Sequence, residues 1–241
     1  MSTVVVWDCE TDTALPRGSA ADRELAMQRS EVTVLCCLVF DAKDASVAGN
    51  YEEARKTALQ YTFWRDQLSG KNKGPFDGAL ALFDEAEAIV AYNGLGFDLR
   101  VLSKYYGNRK DAKHRRTRHR LKTLDPMVCV AQALDIRYPS LDALLQSNGL
   151  GGKTSNGLEA IRMWNDGRRD ELEEYCWSDV EGLAKLVFLQ RLNVPGCGSL
   201  PNRVHGIASF LQVQRILAPM ATEGDWMLVD HATGMEPLAN R

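Results

Sequence analysis

The sequence lacks cysteine pairs with the spacing of a zinc site. Its six cysteines are spread over 241 residues, and no two of them form a C-x-x-C motif. Most stand in apolar segments, so the spacing argues against a disulfide framework and against a zinc site. We therefore expect buried, reduced cysteines and an intracellular location in a reducing compartment, either cytoplasmic or nuclear.

Long apolar runs are also missing. No run approaches the roughly 18 apolar residues that a membrane-spanning helix needs. The N-terminus does not show a basic region followed by an apolar one, so the sequence predicts no signal peptide. On this basis no membrane partner is expected.

The chain lacks an excess of positive charge. It carries 29 Lys and Arg residues against 32 Asp and Glu residues, which gives a net charge of −3. Any affinity for nucleic acid must therefore come from local basic patches or from metal ions. Neither the G-x-G-x-x-G fingerprint of dinucleotide-binding proteins nor the spacing of a phosphate-binding P-loop occurs.

What the chain does contain is a strand-like segment that ends in two acids. Residues 3–11 read TVVVWDCET, and such β-branched residues predict a buried strand. Alternate residues of a strand share a face, so Asp8 and Glu10 lie side by side. Their mutual repulsion is relieved by a cation, and hard oxygen ligands suit Mg²⁺ or Mn²⁺. The alternative is that the strand ends at Asp8 and both acids are solvated.

Strand and helix patterns alternate along the chain and predict an α/β domain with a mixed sheet. Further strands are predicted at residues 31–40, 61–64, 88–92 and 121–124. Helices are predicted at residues 76–87, 99–106, 127–134, 140–147, 158–164 and 171–192. Residues 12–24 are predicted to form a loop, 42–50 a turn region, 207–217 a helix and 224–230 a strand or hairpin.

Two more acidic positions follow from these elements. Asp98 ends a glycine-containing turn between a strand and a helix, where side chains are presented at the carboxyl edge of a sheet. Tyr175 and Asp179 are four residues apart in the long helix, so they lie on one face of it.

Together, these motifs resemble the DEDD superfamily of 3′–5′ exonucleases, and within it the polymerase-B-like exonucleases of the tyrosine subclass. The three motifs are D-x-E at residues 8–10, N-x-x-x-F-D at residues 93–98 and Y-x-x-x-D at residues 175–179. Glu174 stands where the histidine subclass carries its histidine. The resemblance covers about residues 3–190 and implies an RNase H-like mixed sheet flanked by helices.

The resemblance also implies a catalytic site. Asp8, Glu10, Asp98 and Asp179 would bind two divalent ions, Mg²⁺ or Mn²⁺, and Tyr175 would be a catalytic residue. Two-metal sites hold their ions about 3.5–4 Å apart, one activating water and the other stabilising the leaving oxygen. A tyrosine with an ordinary pKa near 10 is a poor base at neutral pH, so Tyr175 would orient the attacking water.

Three residues are candidates for binding the substrate. The resemblance implies that Thr11 and Asn93 position the terminal nucleotide, and Lys153, in a glycine-rich connection, is placed to touch phosphate. Asn93 has an alternative role in forming its turn, and Lys153 as a solvated loop lysine. Asp125, which precedes Pro126, is interpreted as a helix N-cap rather than a ligand.

A basic stretch at residues 109–122 reads RKDAKHRRTRHRLK. Three interpretations remain open. It could guide a single-stranded substrate, act as a nuclear-localisation-like patch, or form an ordinary solvated loop.

The predicted function is metal-dependent 3′–5′ hydrolysis of single-stranded nucleic acid with a free 3′ end, DNA favoured over RNA. Such an activity serves proofreading or DNA repair, with a polymerase or another replication protein as a partner in trans. The alternatives are a catalytically inactive RNase H-like module that binds nucleic acid or a replication partner, and a different two-metal phosphodiesterase. We expect an exonuclease domain at residues 1–195 and a C-terminal extension, residues 196–241, packed on it.

Overall fold

The computed structural model describes residues 2–16, 18–45, 51–67, 74–107, 111–136, 138–152 and 157–201. Lys153 lies outside the described residues, as do the elements predicted at 207–217 and 224–230.

A five-stranded mixed sheet forms the centre of the fold. Its strands are β1 (Thr3–Thr11), β2 (Val32–Asp41), β3 (Leu59–Trp64), β4 (Ala88–Val90) and β5 (Thr123–Leu124), and a separate hairpin consists of β6 (Arg191–Val194) and β7 (Gly198–Pro201). The order in the sheet is β3-β2-β1-β4-β5. β2 is antiparallel to β1 and β3, whereas β4 is parallel to β1 and β5. The predicted RNase H-like α/β fold, with a mixed sheet flanked by helices, is confirmed.

Helices cover both faces of this sheet. They are α1 (Ala20–Arg29), α2 (Ala42–Ala45), α3 (Tyr51–Thr57), α4 (Asp77–Glu85), α5 (Asp98–Leu102), a 3₁₀ helix (Ser103–Tyr106), α6 (Ala112–Leu121), α7 (Pro126–Leu134), α8 (Leu141–Ser147), α9 (Gly157–Asn165) and α10 (Arg169–Phe188). Across the described ranges, no helix has the length and apolar character needed to cross a bilayer.

Strand β1 divides the core because its side chains alternate between the two faces. Val6 packs in the cluster that contains the buried side of α10. Trp7 packs on the opposite face, where its ring centroid lies 4.8 Å from that of Phe83 in α4. Asp8 and Glu10 share the parity of Val6, so the fold directs both carboxylates towards α10.

The loop predicted over residues 12–24 is wrong in its second half, where α1 begins at Ala20. A capping box starts this helix: the backbone N–H of Asp22 donates to the Ser19 hydroxyl, and the Asp22 carboxylate accepts from the Ser19 backbone. The S-x-x-D spacing of Ser19 and Asp22 therefore indicates the start of this helix in the sequence. The short helix α2 likewise replaces part of the turn region predicted at 42–50.

The long helix predicted at residues 171–192 ends earlier than the pattern indicated. α10 stops at Phe188, and the backbone at Leu189 is extended. Leu192 continues the apolar pattern, yet it is buried as part of β6. The hairpin of β6 and β7 spans residue 195, so the division into 1–195 and 196–241 stays a prediction.

The basic stretch forms a helix, α6, over Ala112–Leu121, so the loop interpretation is wrong there. Ala112 and His119 are buried and hold the helix on the domain. On its α4 side, Arg115 and Arg118 donate to the carboxylate of Asp84 at 2.7 and 2.6 Å. Ion pairing with a neighbouring helix thus stabilises a segment with little apolar periodicity.

His119 should make stability depend on pH. Its Nε2 lies 2.9 Å from Asp84 Oδ1 and its Nδ1 lies 2.6 Å from the Tyr106 hydroxyl, an arrangement that the neutral ring protonated at Nε2 satisfies. Burial lowers the pKa of His119 to about 4, although Asp84 acts in the opposite direction. The unfolded chain binds this proton near pH 6.5, so the contribution of neutral His119 is lost as the pH falls from about 6.5 towards 4.

We expect this loss to reach about 2–3 kcal/mol. Burial raises the pKa values of Asp98 and Asp125, so these two acids change the free energy of unfolding in the opposite direction as the pH falls. The measurement is therefore the difference in urea-derived free energy of unfolding between wild type and His119→Gln at pH 7.5, 6 and 5. This difference should shrink as the pH falls, and a constant difference would contradict the assignment of a neutral ring.

Candidate metal centre

Three carboxylates meet at the carboxyl end of β1. Asp8 and Glu10 come from β1 and Asp179 from α10, and one carboxylate oxygen from each lies within 4.8 Å of the others. Strand parity places the first two on the α10 side, and α10 packs directly on β1. The thiol of Cys176, in the turn of α10 before Asp179, donates to the Asp8 carbonyl at 3.5 Å and fixes the helix against the strand.

This cluster suits a divalent cation. Asp179 is buried, with 4% of its surface exposed, and Asp8 and Glu10 are half-buried. Negative charges gathered in a partly desolvated place repel one another, and a cation among them relieves that repulsion. A set of carboxylate oxygens with a half-open side is the donor set that Mg²⁺ or Mn²⁺ prefers.

Tyr175 lies one helical turn before Asp179 on α10, and 8% of its surface is exposed. The four-residue spacing puts the phenol and the carboxylate on one face of the helix, as predicted. The structure therefore brings Tyr175 to the side of α10 that carries the acidic cluster.

Asp98 lies outside the group of three. It is the first residue of α5, 4% exposed, and its Oδ1 accepts a hydrogen bond from the thiol of Cys9 at 3.3 Å. Cys9 belongs to the face of β1 opposite Asp8 and Glu10. Burial raises the pKa of Asp98 to about 7, and the negative charge of Asp125 acts in the same direction. The four acids expected as metal ligands are thus arranged as three together and one apart.

The turn that leads to Asp98 is tight and contains a residue with positive φ. Asn93 adopts a left-handed conformation with φ of 58°, and its carbonyl accepts from the backbone N–H groups of Gly96 and Phe97. A Cβ atom at Gly94 would lie 2.4 Å from the Ala91 Cβ, and one at Gly96 would lie 2.5 Å from Asn93 Oδ1. Gly94 is therefore required by close approach, whereas a side chain at Gly96 would force the Asn93 amide to move. Asn93 thus forms the turn through its backbone, and its role in positioning a nucleotide stays a prediction.

Asp125 holds this turn from the neighbouring strand. It caps α7 by accepting from the Met127 N–H at 3.2 Å, which confirms the predicted N-cap. It also accepts from the backbone N–H groups of Asn93 and Leu95, at 3.0 and 3.2 Å. The motifs gave no sign of this second role. A readable signal existed, because Asp125 follows β5, which runs parallel to β4 and ends at the same edge.

Thr11 lines a cleft of about 440 Å³ beside the acidic cluster. Its hydroxyl donates to the Thr13 carbonyl at 3.2 Å, so one of its hydrogen bonds is made within the loop. Glu10 lines the same cleft, together with the apolar side chains of Leu15, Phe97, Leu158 and Ile161. The sequence motifs assigned no role in this cleft to Leu15, Leu158 or Ile161.

Residues 78–197 match a family described as a predicted 3′–5′ exonuclease related to the exonuclease domain of PolB. The resemblance to polymerase-B-like 3′–5′ exonucleases is thereby confirmed. The segment similar to polymerase-B-like exonucleases contains Asp98, Tyr175 and Asp179, whereas β1 with Asp8 and Glu10 precedes it.

The solved structures similar to the chain include that of the family B DNA polymerase from the hyperthermophilic archaeon Pyrobaculum calidifontis. The similarity covers 89% of this chain and 29% of the polymerase, with 15% sequence identity and a TM-score of 0.47. No curated protein matches the chain.

Proposed function

We propose that this chain is a metal-dependent 3′–5′ exonuclease acting on single-stranded nucleic acid, with DNA preferred over RNA. It would hydrolyse phosphodiester bonds from the 3′ end and release nucleoside 5′-monophosphates. The observation that carries the proposal is the convergence of Asp8, Glu10 and Asp179, from segments about 170 positions apart, in a chain similar to polymerase-B-like exonucleases.

The metal-binding role falls to the carboxylates. Asp8, Glu10 and Asp179 would hold a divalent ion, Mg²⁺ or Mn²⁺, and a second ion would need the carboxylate of Asp98. Bound ions of this kind supply acidity to a water molecule and positive charge to the phosphoryl oxygens. The donor set fits such ions because every member offers hard oxygen atoms.

The remaining residues bind and orient the reactants. The hydroxyl of Tyr175 would orient the attacking water by a hydrogen bond, since an ordinary tyrosine is protonated at neutral pH. The terminal nucleotide would lie in the cleft beside Glu10, where Thr11 positions it and Phe97 offers an aromatic surface. Asn93, in the turn that leads to Phe97, would help to position the same nucleotide. Lys153 would contact a phosphate of the same strand.

The competing functions differ in what they require of the acids. An inactive RNase H-like module that binds nucleic acid gains nothing from three carboxylates beside a phosphate, since they repel it. An endonuclease would use the same acids on internal bonds. We propose an intracellular, reducing compartment, consistent with buried free thiols such as Cys36 and Cys37. A polymerase or other replication protein, acting in trans during proofreading or DNA repair, is the proposed protein partner.

The test is digestion of matched 5′-labelled single-stranded DNA and RNA with Mg²⁺, Mn²⁺ or EDTA. Wild type should give a metal-dependent ladder that shortens from the 3′ end, faster on DNA, and Asp8→Ala should give none. Discrete internal products would instead indicate an endonuclease. Binding without cleavage under every metal condition would leave the inactive module as the better account.

A further inference from the structure

A second concave surface lies on the face of the sheet opposite α10. It is about 630 Å³ in volume, its floor is formed by α5 and the 3₁₀ helix, and α1 and α6 form its walls. We call it the basic groove because its lining includes five cationic residues: Arg100, Lys104, Lys113, Arg116 and Arg120. Glu24 is the one acid among the described lining residues.

The cations of α6 lie on two sides of the helix. On the α4 side of this helix, Asp84 accepts from both Arg115 and Arg118. On the groove side, α6 contributes Lys113, Arg116 and Arg120, and the facing wall offers Glu24, which pairs with Arg100.

The floor of the groove adds another cation, Lys104, which donates to the backbone carbonyls of Gln28 and Ser30. Such a concentration of positive charge in a chain of net charge −3 favours a polyanion.

Helix α5 connects the groove with the proposed site. Asp98 begins α5, and its next two residues, Leu99 and Arg100, both line the groove. Lys104 lies about 10 Å further along the same helical segment. A strand whose 3′ end lies at the acidic cluster therefore needs only a few nucleotides to reach the groove.

We propose that the basic groove binds the phosphate backbone of the substrate strand upstream of its 3′ end. The inference rests on the proposed function, and it assigns the strand a path from the acidic cluster along α5 to α6. Cationic side chains above a partly apolar floor, here Met27 and Leu99, bind single strands without reading their sequence.

The test compares substrates that do and do not reach the groove. Lys113→Glu/Arg116→Glu reverses two exposed charges on α6, outside the residues assigned to catalysis. With a 5′-labelled 30-nucleotide DNA, its KM should rise at least tenfold while kcat stays within twofold of wild type. With a two-nucleotide DNA, which is too short to reach α6 from the acidic cluster, both constants should stay within twofold of wild type. The slope of log affinity against log salt should also decrease in magnitude by about 1.4, since each of the two lost single-strand contacts contributes about 0.7.

The matched control is Lys43→Glu/Lys56→Glu, which makes the same change of charge on α2 and α3, away from the groove. Equal KM values for the groove variant and this control on the long DNA would overturn the proposal.

Failure of the exonuclease proposal can be distinguished from failure of the groove proposal, because wild type would then cleave neither DNA. Fluorescence anisotropy of the labelled 30-mer in EDTA still tests the groove in that case. Weaker binding by the groove variant than by the control supports the proposal. Unchanged DNA binding, with lost binding of a poly-glutamate peptide, overturns it in favour of an acidic protein partner.

Discussion

Replacing Asp179 by asparagine should reduce metal-dependent hydrolysis about 1,000-fold and remove the stabilisation of the fold by Mn²⁺. Asparagine keeps the shape of the side chain but removes one of the three negative charges that lie within 4.8 Å. Metal-based charge stabilisation is worth several kcal/mol in a transition state, and about 4 kcal/mol corresponds to this factor.

The second readout does not depend on activity. Mn²⁺ at about 100 times its dissociation constant should raise the free energy of unfolding of wild type by about 2.7 kcal/mol. Asp179→Asn should lose most of that gain, measured by urea unfolding with and without the ion.

Asp170→Asn provides the control, because it removes an exposed carboxylate from the first turn of the same helix. It should keep both activity and the response to Mn²⁺, at a stability cost of at most about 1 kcal/mol. An Asp179→Asn protein that is still stabilised by Mn²⁺ as strongly as wild type would show that Asp179 is not a ligand.

The faces on which these side chains lie could be predicted because each step is local. Strand alternation fixes the common face of Asp8 and Glu10, and helical spacing fixes that of Tyr175 and Asp179. The long-range step, in which α10 covers β1 and brings Asp179 to the two strand acids, was implied by the resemblance to 3′–5′ exonucleases and not by residue spacing.

Two other features could not be predicted in the same way. The segment that forms α6 has few apolar residues, and the ion pairs from Arg115 and Arg118 to Asp84 that stabilise it join positions more than 30 residues apart. The position of Asp98 depends on a turn whose backbone is bound by Asp125, again from a distant segment. Residue spacing indicates the local conformational preference of a segment. The formation of α6 and the position of Asp98 depend instead on contacts with distant segments.

Asp125→Asn should lower kcat/KM for single-stranded DNA by about 10- to 100-fold, the usual loss when a group that orients a ligand is removed. Its Oδ1 accepts from the N–H groups of Asn93 and Met127, and its Oδ2 accepts from that of Leu95. An asparagine has only one oxygen, so its amide NH₂ would face a backbone donor. The turn should then loosen and Asp98 should lose its fixed position.

A structural readout distinguishes this role from simple helix capping. Backbone amide exchange at Asn93 and Leu95, followed by NMR, should accelerate in Asp125→Asn. Ser140→Ala removes an N-cap of similar kind, since the Ser140 hydroxyl accepts from the Ala143 N–H at 3.1 Å. That control should cost about 0.5–2 kcal/mol of stability and leave activity near wild type.

The comparison separates two physical causes of lost activity. If both variants lose activity in proportion to lost stability, Asp125 acts as a cap alone. If only Asp125→Asn loses activity while its stability matches that of Ser140→Ala, the carboxylate acts through the turn. We expect the second result, because Asp125 accepts hydrogen bonds from two backbone N–H groups of the turn that presents Asp98, those of Asn93 and Leu95.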